Sequence, residues 1–398
     1  MNSIVYWPDS WTKANFGDLF ELKYGKGLPE RDRRPGRIPV YGSNGVVGQH
    51  DRAVTTGPSI LVGRKGSVGK LHFEPGPCWP IDTTYYIEKS PWNWHFTLAL
   101  LRQLGLDQMD RSTAIPGLTR SDVYELEVAY PEPKEQELIA KSIELVSELL
   151  SFPRNRLATI PALLKKFRQS VLAAACSGQL TADWRAKHPS LELVEYGATV
   201  SDFPETWRVA TIGEVARTSS GGTPSRSNKQ FYGGTIPWIK SGDLNDGVVT
   251  QATEFLTTEG LRRSSAKLFP KNTLLIAMYG ATVGKLGLLG FEAATNQAVC
   301  GIFLREDISL QFTFRYLLYI RQDLIDRAKG GAQPNISQEI VRNTPIPIPL
   351  QSEQAEIVRR VDTLFALADS VESRLSEATA QVERTTQSIL AKAFRGEL

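Results

Sequence analysis

Apolar and small residues recur near the end of the chain in alternating steps of four and three, at Ile357, Val361, Leu364, Ala368, Val371, Leu375, Ala378, Val382, Thr385 and Ile389. That spacing keeps one stripe of a helix turned toward a partner and predicts a coiled-coil seam. An earlier stretch has the same register, with Ile139, Ile143, Val146, Leu150, Leu157, Ile160, Leu164, Phe167, Val171 and Ala174. There Pro153 takes a seam position and Pro161 follows one. Each proline lacks an amide hydrogen and crowds the preceding turn, so the first helix is predicted to kink or restart near Pro153 and Pro161.

The two seams belong to an internal repeat. Residues 169–180, QSVLAAACSGQL, return 218 positions later as residues 387–398, QSILAKAFRGEL. The same offset pairs Pro116 with Pro334, Thr119 with Ser337, Glu135-Gln136 with Glu353-Gln354, and Ile139 with Ile357. Near the start of each half, Pro8, Trp11 and Gly17 match Pro204, Trp207 and Gly213 at an offset of 196, so the second half carries about 22 extra residues in its globular part. Both helices reach a glycine, Gly178 and Gly396, suited to a left-handed closing residue. Two copies in one register point to an intramolecular helix pair, not to two helices each packed only on its own domain.

Between these landmarks each half reads as short apolar segments punctuated by glycine. Strands are expected at residues 38–41, 59–62, 70–73 and 84–87, then at 236–239, 273–278, 285–289 and 297–304. One amphipathic helix follows in each half, at 92–104 and 310–327. Next comes a turn capped by Thr119 or Ser337, with Asp122 or Glu339 just inside it, and a last strand at 123–129 or 344–349. Each half is thus an α+β domain leading into a long helix. Residues 181–203, which include Trp184 and Pro189, read as an ordered linker.

A chain of 398 residues with 41% hydrophobic and 22% charged side chains is an ordinary globular composition, with room for two or three domains. No apolar run approaches the roughly 18 residues that span a bilayer, and MNSIVYWPDS lacks the basic and apolar regions of an export signal, so a cytoplasmic location without membrane contact is expected. Three well-separated cysteines, Cys78, Cys176 and Cys300, suggest neither disulfides nor a zinc site. The net charge of +3 permits a nucleic-acid partner without requiring one.

Enzyme signatures are weak. GRKGSVGK at 63–70 and GATVGK at 280–285 resemble phosphate loops, but the glycine spacing differs and Leu71 or Leu286 stands where a hydroxyl should meet magnesium. Asp9, Glu21 and Lys23 could mimic a metal-dependent nuclease, which stands as an alternative reading. A coiled-coil interaction protein without a nucleic-acid role is another. No Gly-x-Ser-x-Gly elbow and no flipped-base tetrad is present. What remains is a binding pattern on glycine-rich loops. Residues 25–37 carry Lys26, Arg31, Arg33, Arg34 and Arg37, and residues 221–240 carry Thr223, Ser225, Arg226, Lys229, Tyr232, Trp238 and Lys240. Arg64, Lys65 and Lys70 occupy one glycine turn, and Tyr279 and Lys285 its counterpart. Such side chains suit phosphate and base-edge contacts, although any single loop could be a solvated turn. Trp7, Trp11, Trp207 and Trp238 fit core packing better.

GGTPS at 221–225, GGTIPW at 233–238, the two glycine-lysine turns, the Glu-Gln helix starts and the ends SGQLTADWR and AFRGEL together resemble the DNA specificity subunits of type I restriction-modification enzymes. The resemblance covers essentially the whole chain. It implies an α+β fold of two tandem target recognition domains separated by two long helices forming an antiparallel coiled coil, with an internal pseudo-two-fold repeat. The corresponding boundaries are 1–133 for the first recognition domain, 134–180 for the first helical region, 181–203 for the linker, 204–349 for the second domain and 350–398 for the second helical region. The resemblance further implies an asymmetric bipartite DNA target, with a stalk of about 40 residues spanning roughly 60 Å as the ruler. Two methyltransferase subunits using S-adenosylmethionine and restriction subunits using ATP and magnesium would supply the chemistry, leaving no catalytic residue, metal or cofactor in this chain. Exposed helix residues such as Leu390 and Phe394 would meet the methyltransferase.

Overall fold

The computed structural model describes residues 7–109, 117–189, 197–328, 335–395 and 397. The chain forms two units, residues 1–159 with 375–398, and residues 160–374. Each therefore holds one globular domain, the start of the helix leaving that domain and the end of the other helix. Among the described residues no helix is long and apolar enough to cross a membrane. All three cysteines are buried free thiols.

The first unit opens with β1 (Thr12–Asn15), α1 (Phe16–Leu19) and β2 (Lys23–Tyr24), followed by β3 (Ile38–Gly42), β4 (Gly45–His50), β5 (Ser59–Gly63), β6 (Leu71–Glu74), β7 (Trp79–Pro80) and β8 (Thr84–Ile87). Then come α2 (Trp94–Gln103), α3 (Arg120–Tyr124), β9 (Glu127–Tyr130) and the long α4 (Pro133–Cys176). The strands form a β1-β9 pair, a sheet of order β2-β8-β5-β6 and a small sheet β4-β3-β7. Both β5 and β8 are buried throughout, as their continuous apolar runs require, and α2 lays Phe96, Ala99, Leu100 and Leu101 into the same core.

The second unit repeats the plan. It contains α5 (Ala182–Ala186), β10 (Arg208–Thr211), α6 (Ile212–Val215), β11 (Ala216–Ser220), β12 (Tyr232–Ile239), β13 (Gly247–Val249), β14 (Glu254–Leu256), α7 (Thr258–Arg262) and β15 (Leu268–Phe269). These are followed by β16 (Leu274–Ala277), β17 (Leu286–Leu289), β18 (Ala293–Thr295), β19 (Val299–Leu304), α8 (Leu310–Tyr319), α9 (Arg321–Arg327), α10 (Gln338–Arg342), β20 (Pro345–Ile348) and α11 (Gln351–Ala393). Its strands form a β10-β20 pair and sheets of order β11-β19-β16-β17-β13 and β14-β12-β18-β15. Each larger sheet has gained one strand over its counterpart, β13 in one and β15 in the other, and these account for much of the extra length of the second half.

Several local expectations change. The segment 120–124 is helical, so the last strand of the first domain begins at Glu127 instead of residue 123. Ser337 does cap α10 by accepting from Ile340 N, whereas the Thr119 side chain makes no cap bond. The expected helix at 310–327 is divided at Ile320 into α8 and α9. Helix α4 runs through Pro153 and Pro161 without a restart, over 44 residues. An interior proline forfeits a main-chain bond and strains the turn before it, at roughly 3 kcal/mol. Buried seam residues flank the prolines, Ile143 before and Leu164 after, and Arg154 bonds Thr386 of α11 at 2.9 Å, so tertiary packing holds the helical path. Gly178 adopts the left-handed conformation, with φ of 82°, while Gly396, Pro116 and Pro334 lie outside the described residues.

Within each unit the two long helices run antiparallel. In the first, Ile139 and Ile143 share a core with Ala393 and Phe394, and farther along α4 Arg154 meets Glu383 at 3.2 Å. In the second, Arg168 meets Asp369 at 2.6 Å and Glu372 at 2.8 Å, while beyond the end of α4 Leu180 O accepts from Arg360 at 2.8 Å. Of the seam, Ile139, Ile143, Leu164, Val171, Ile357 and Val361 are buried. Val146, Leu150, Leu157, Leu364, Leu375, Val382 and Ile389 are half-buried, and Val371 is exposed.

The Glu-Gln start of each helix has one structural job in both units. Trp11 Nε1 donates to Glu135 at 3.2 Å, and Trp207 Nε1 to Glu353 at 2.8 Å. Gln136 and Gln354 turn back to Pro131 O and Pro349 O at 2.7 and 2.8 Å. Glu353 is completely buried and also accepts from Thr181 Oγ1 at 2.7 Å and from Arg185. Phe394, expected on the surface, packs instead against Trp7, Trp11 and Phe96, with only 2% of its area exposed. The AFRGEL end is core material for the first domain, and the Leu390 side chain lies outside the described residues.

Two stability outcomes are expected in thermal unfolding of the full chain. Phe394→Ala should cost about 3–5 kcal/mol by opening the core of the first unit. Glu353→Ala should cost about 3–5 kcal/mol by leaving Arg185 without its buried carboxylate.

Candidate functional site

The two glycine-lysine turns are the same structure. One joins β5 to β6 and the other β16 to β17. Gly63 N donates to Lys70 O and Gly69 N to Gly63 O, both at 2.8 Å; Ala277 N to Lys285 O and Gly284 N to Ala277 O repeat the pattern at 2.8 Å. Gly69 needs its left-handed φ of 68°, and a Cβ there would strike the Asp107 amide nitrogen at 2.2 Å. Each turn is tied to the segment before the short helix of its unit. Leu118 N donates to Arg64 O at 2.8 Å, and Ile336 N to Met278 O at 2.7 Å.

Many of the basic candidates are already engaged within the protein. Arg33 donates to Val47 O at 2.7 Å and braces its own loop. Arg34 lies 3.7 Å from Asp51, and exposed Arg31 lies 3.8 Å from Asp32. Lys70 donates to Asn44 Oδ1 at 2.6 Å. In the second unit Arg226 and Lys240 both bind Glu254 at 2.7 Å, and Arg226 also lies over the rings of Tyr232 and Trp238, 4.6 and 5.0 Å from their centroids. These two cations hold the Glu254 carboxyl below its ordinary range, Arg226 contributing more. Lys285 lies 3.9 Å from Asp246, which Arg321 also grips. Thr223 bonds Gln297, Ser225 bonds Ser227 at 2.8 Å, and Tyr279 is half-buried. Lys26, Lys65 and Lys229 are exposed.

The structure adds residues that the loops did not suggest. Arg64 and Arg120 both lie over the ring of Tyr24, at 5.3 and 5.4 Å from its centroid, in a cleft completed by Tyr85, Thr119 and Tyr124. Burial, then the Tyr24 hydroxyl, push the Tyr85 hydroxyl up to about 12, so it stays neutral while donating to Leu118 O at 3.1 Å. The corresponding cleft of the second unit lies between β11 and α10 and is lined by Arg217, Arg305, Gln338 and Arg342. Tyr24 and Arg120 stand apart from the basic loops in sequence, and only the fold brings them beside Arg64.

The nuclease reading fails on geometry. Lys23 donates to Glu88 at 3.1 Å, and that bond raises the pKa of its amine above the ordinary value, keeping it protonated. Among the described residues no group of three or more His, Cys, Asp or Glu side chains could hold a metal.

Comparison with known proteins fits the repeated plan. Residues 8–162 and 204–380 each match the type I restriction modification DNA specificity domain. The chain belongs to that family. The specificity subunit of the Escherichia coli type I restriction enzyme EcoDI is 28% identical over 98% of this chain and 89% of its own length. The EcoBI specificity subunit, also from Escherichia coli, is 31% identical over 72% of this chain and 61% of its own length. A chain solved in work on complex assembly and conformational transition of the type I restriction-modification system shares the fold, with a TM-score of 0.69 at 20% identity over 99% of this chain and 100% of that one. As in those relatives, the architecture is α+β with two tandem specificity domains and an internal repeat.

Glu254 neutralises two candidate contacts at once. In a DNA-binding titration, Glu254→Gln is expected to raise affinity for nonspecific duplex severalfold at low salt, an advantage that fades as salt rises. The carboxylate's stabilising contribution is present above its unfolded pKa and is lost as pH falls through its depressed folded value. Acidification is therefore expected to reproduce the effect in the parent protein and leave the variant unaffected at this site.

Proposed function

We propose that this specificity subunit reads an asymmetric, two-part DNA site, one part with each domain, and positions methyltransferase and restriction subunits around it. The observation that carries this reading is the repetition of one architecture with different loop chemistry. The same turn, short helix and tryptophan anchor recur in both units, while the residues around them differ: Arg64 stands where Met278 does, and Arg120 where Gln338 does. Identical frames with unlike contact surfaces suit two unlike half-sites.

The chain itself acts by binding in this proposal. S-adenosylmethionine would belong to two methyltransferase subunits, and ATP and magnesium to the restriction subunits. A docking surface for a partner helix is available on α4, where Leu138, Leu145, Leu149 and Phe152 are 57%, 58%, 66% and 63% exposed. Spacings of seven, four and three place them on one face of the helix, beside the seam. An apolar stripe of this kind favours a second amphipathic helix, and we assign that partner as a methyltransferase subunit.

Mapping of methylated adenines in cells carrying this gene with its methyltransferase partner is expected to reveal a discontinuous, asymmetric motif that vanishes when the gene is deleted. An unchanged methylation map would overturn the proposed function. Replacing Leu145 and Leu149 together with Glu should abolish co-purification of the methyltransferase without lowering the melting temperature, since both side chains are exposed.

A further inference from the structure

The two arginine-lined clefts recur at one place in the fold but are charged from different positions. In the first unit the cleft lies between β2, the glycine turn and α3, with Arg64 on the turn and Arg120 at the start of the short helix. In the second, the residues at those two positions are neutral. Met278 is buried, and Gln338 donates through Nε2 to Thr218 O and Thr218 Oγ1 at 3.1 and 2.9 Å. The positive charge comes from the other walls, from Arg217 on β11 and Arg342 at the end of α10. The correspondence of the clefts is firm, because Gly17 faces Tyr124 in one as Gly213 faces Arg342 in the other. Different residues have thus placed two arginines in the same cleft.

Those arginines are also electrostatically unspent. None of Arg64, Arg120, Arg217 or Arg342 has a carboxylate partner among the described residues. Arg64 donates only to a main-chain oxygen, Asp82 O at 3.2 Å. The acidic residue in the second cleft, Glu214, is occupied by Thr211 N at 2.6 Å and Thr211 Oγ1 at 2.8 Å. Arg305 is paired with Asp307 at 3.1 Å and is left out of the count. Aromatic faces hold two of the guanidinium groups in place, Arg64 and Arg120 against Tyr24, and Arg217 against Phe303 at 4.2 Å. Stacking of this kind restrains the plane while leaving its N–H donors free.

Building on the proposed DNA role, we propose that each cleft is a phosphodiester seat, in which two uncompensated arginines grip the DNA backbone and set the position of the domain over its half-site. Base reading is left to the glycine loops, many of whose cations are partly neutralised within the protein. Two arginines flanking one cleft suit a singly charged phosphodiester with several acceptor oxygens better than a neutral base edge.

The test uses the full chain assembled with its methyltransferase partner and a duplex carrying the mapped motif. The variants are Arg64→Gln with Arg120→Gln, and Arg217→Gln with Arg342→Gln. Each pair is expected to lower the slope of log affinity against log salt by about two, roughly 0.9 for each lost phosphate contact, while the methylated motif stays the same. The Arg→Lys pairs should keep most of the slope, and they serve as the readout if a glutamine pair unfolds. An unchanged slope in well-folded variants would overturn the proposal. So would a changed base preference, which would make the clefts base readers. If the parent complex itself shows no preference for a two-part site, the functional reading underneath has failed, whatever the variants do.

Discussion

A glutamate at the start of each long helix accepts the indole hydrogen of the tryptophan that opens the same domain. In the second unit this carboxylate is completely buried and is shared with Thr181 and Arg185, which follow the end of the other helix. One side chain therefore ties together a domain entrance, its exit helix and the incoming end of the partner helix. A buried carboxylate is tolerable only when its lone pairs are taken, and Trp207, Thr181 and Arg185 take them. In the first unit Glu135 holds Trp11, and the role of the incoming end passes to Phe394, an apolar plug in place of an ionic one. The same joint is built with two chemistries.

This joint explains why the repeat divides as it does. The helices and their landmarks keep a fixed spacing because their residues meet one another across the seam and at both domain stems. The globular parts are free to vary, and the second has added β13 and β15 at sheet edges, where strands can be appended without rebuilding a core. The clefts beside α3 and α10 lie within the shared frame, whereas the loops at 25–37 and 221–240 lie in the variable part.

The sequence made the helix pair legible because a seam is a periodic signal and the repeat supplied a second copy. The glycine turns were legible too, since glycine marks positions that other residues cannot adopt. The continuous path of α4 was not, because local rules for proline carry no information about the packing on either side of Pro153 and Pro161. Phe394 was misjudged for a related reason: its neighbours Trp11 and Phe96 are nearly 300 or more residues distant in sequence. The charged loops were read correctly as basic, but sequence does not reveal which cations a protein has already spent on its own carboxylates. Glu254 and Asp246 made that decision, and Tyr24 with Arg120 emerged only from the folded cleft.

The placement of Phe394 also bears on how the chain comes into being. The domain synthesised first has its core closed by a residue synthesised almost last, so it cannot complete that core while it emerges from the ribosome. The second domain meets no such delay at its joint, because Thr181 and Arg185 are made before it. Biosynthesis thus reverses the order of the sequence: the second domain can settle first, and the first waits, with Trp7, Trp11 and Phe96 uncovered, for the chain to finish.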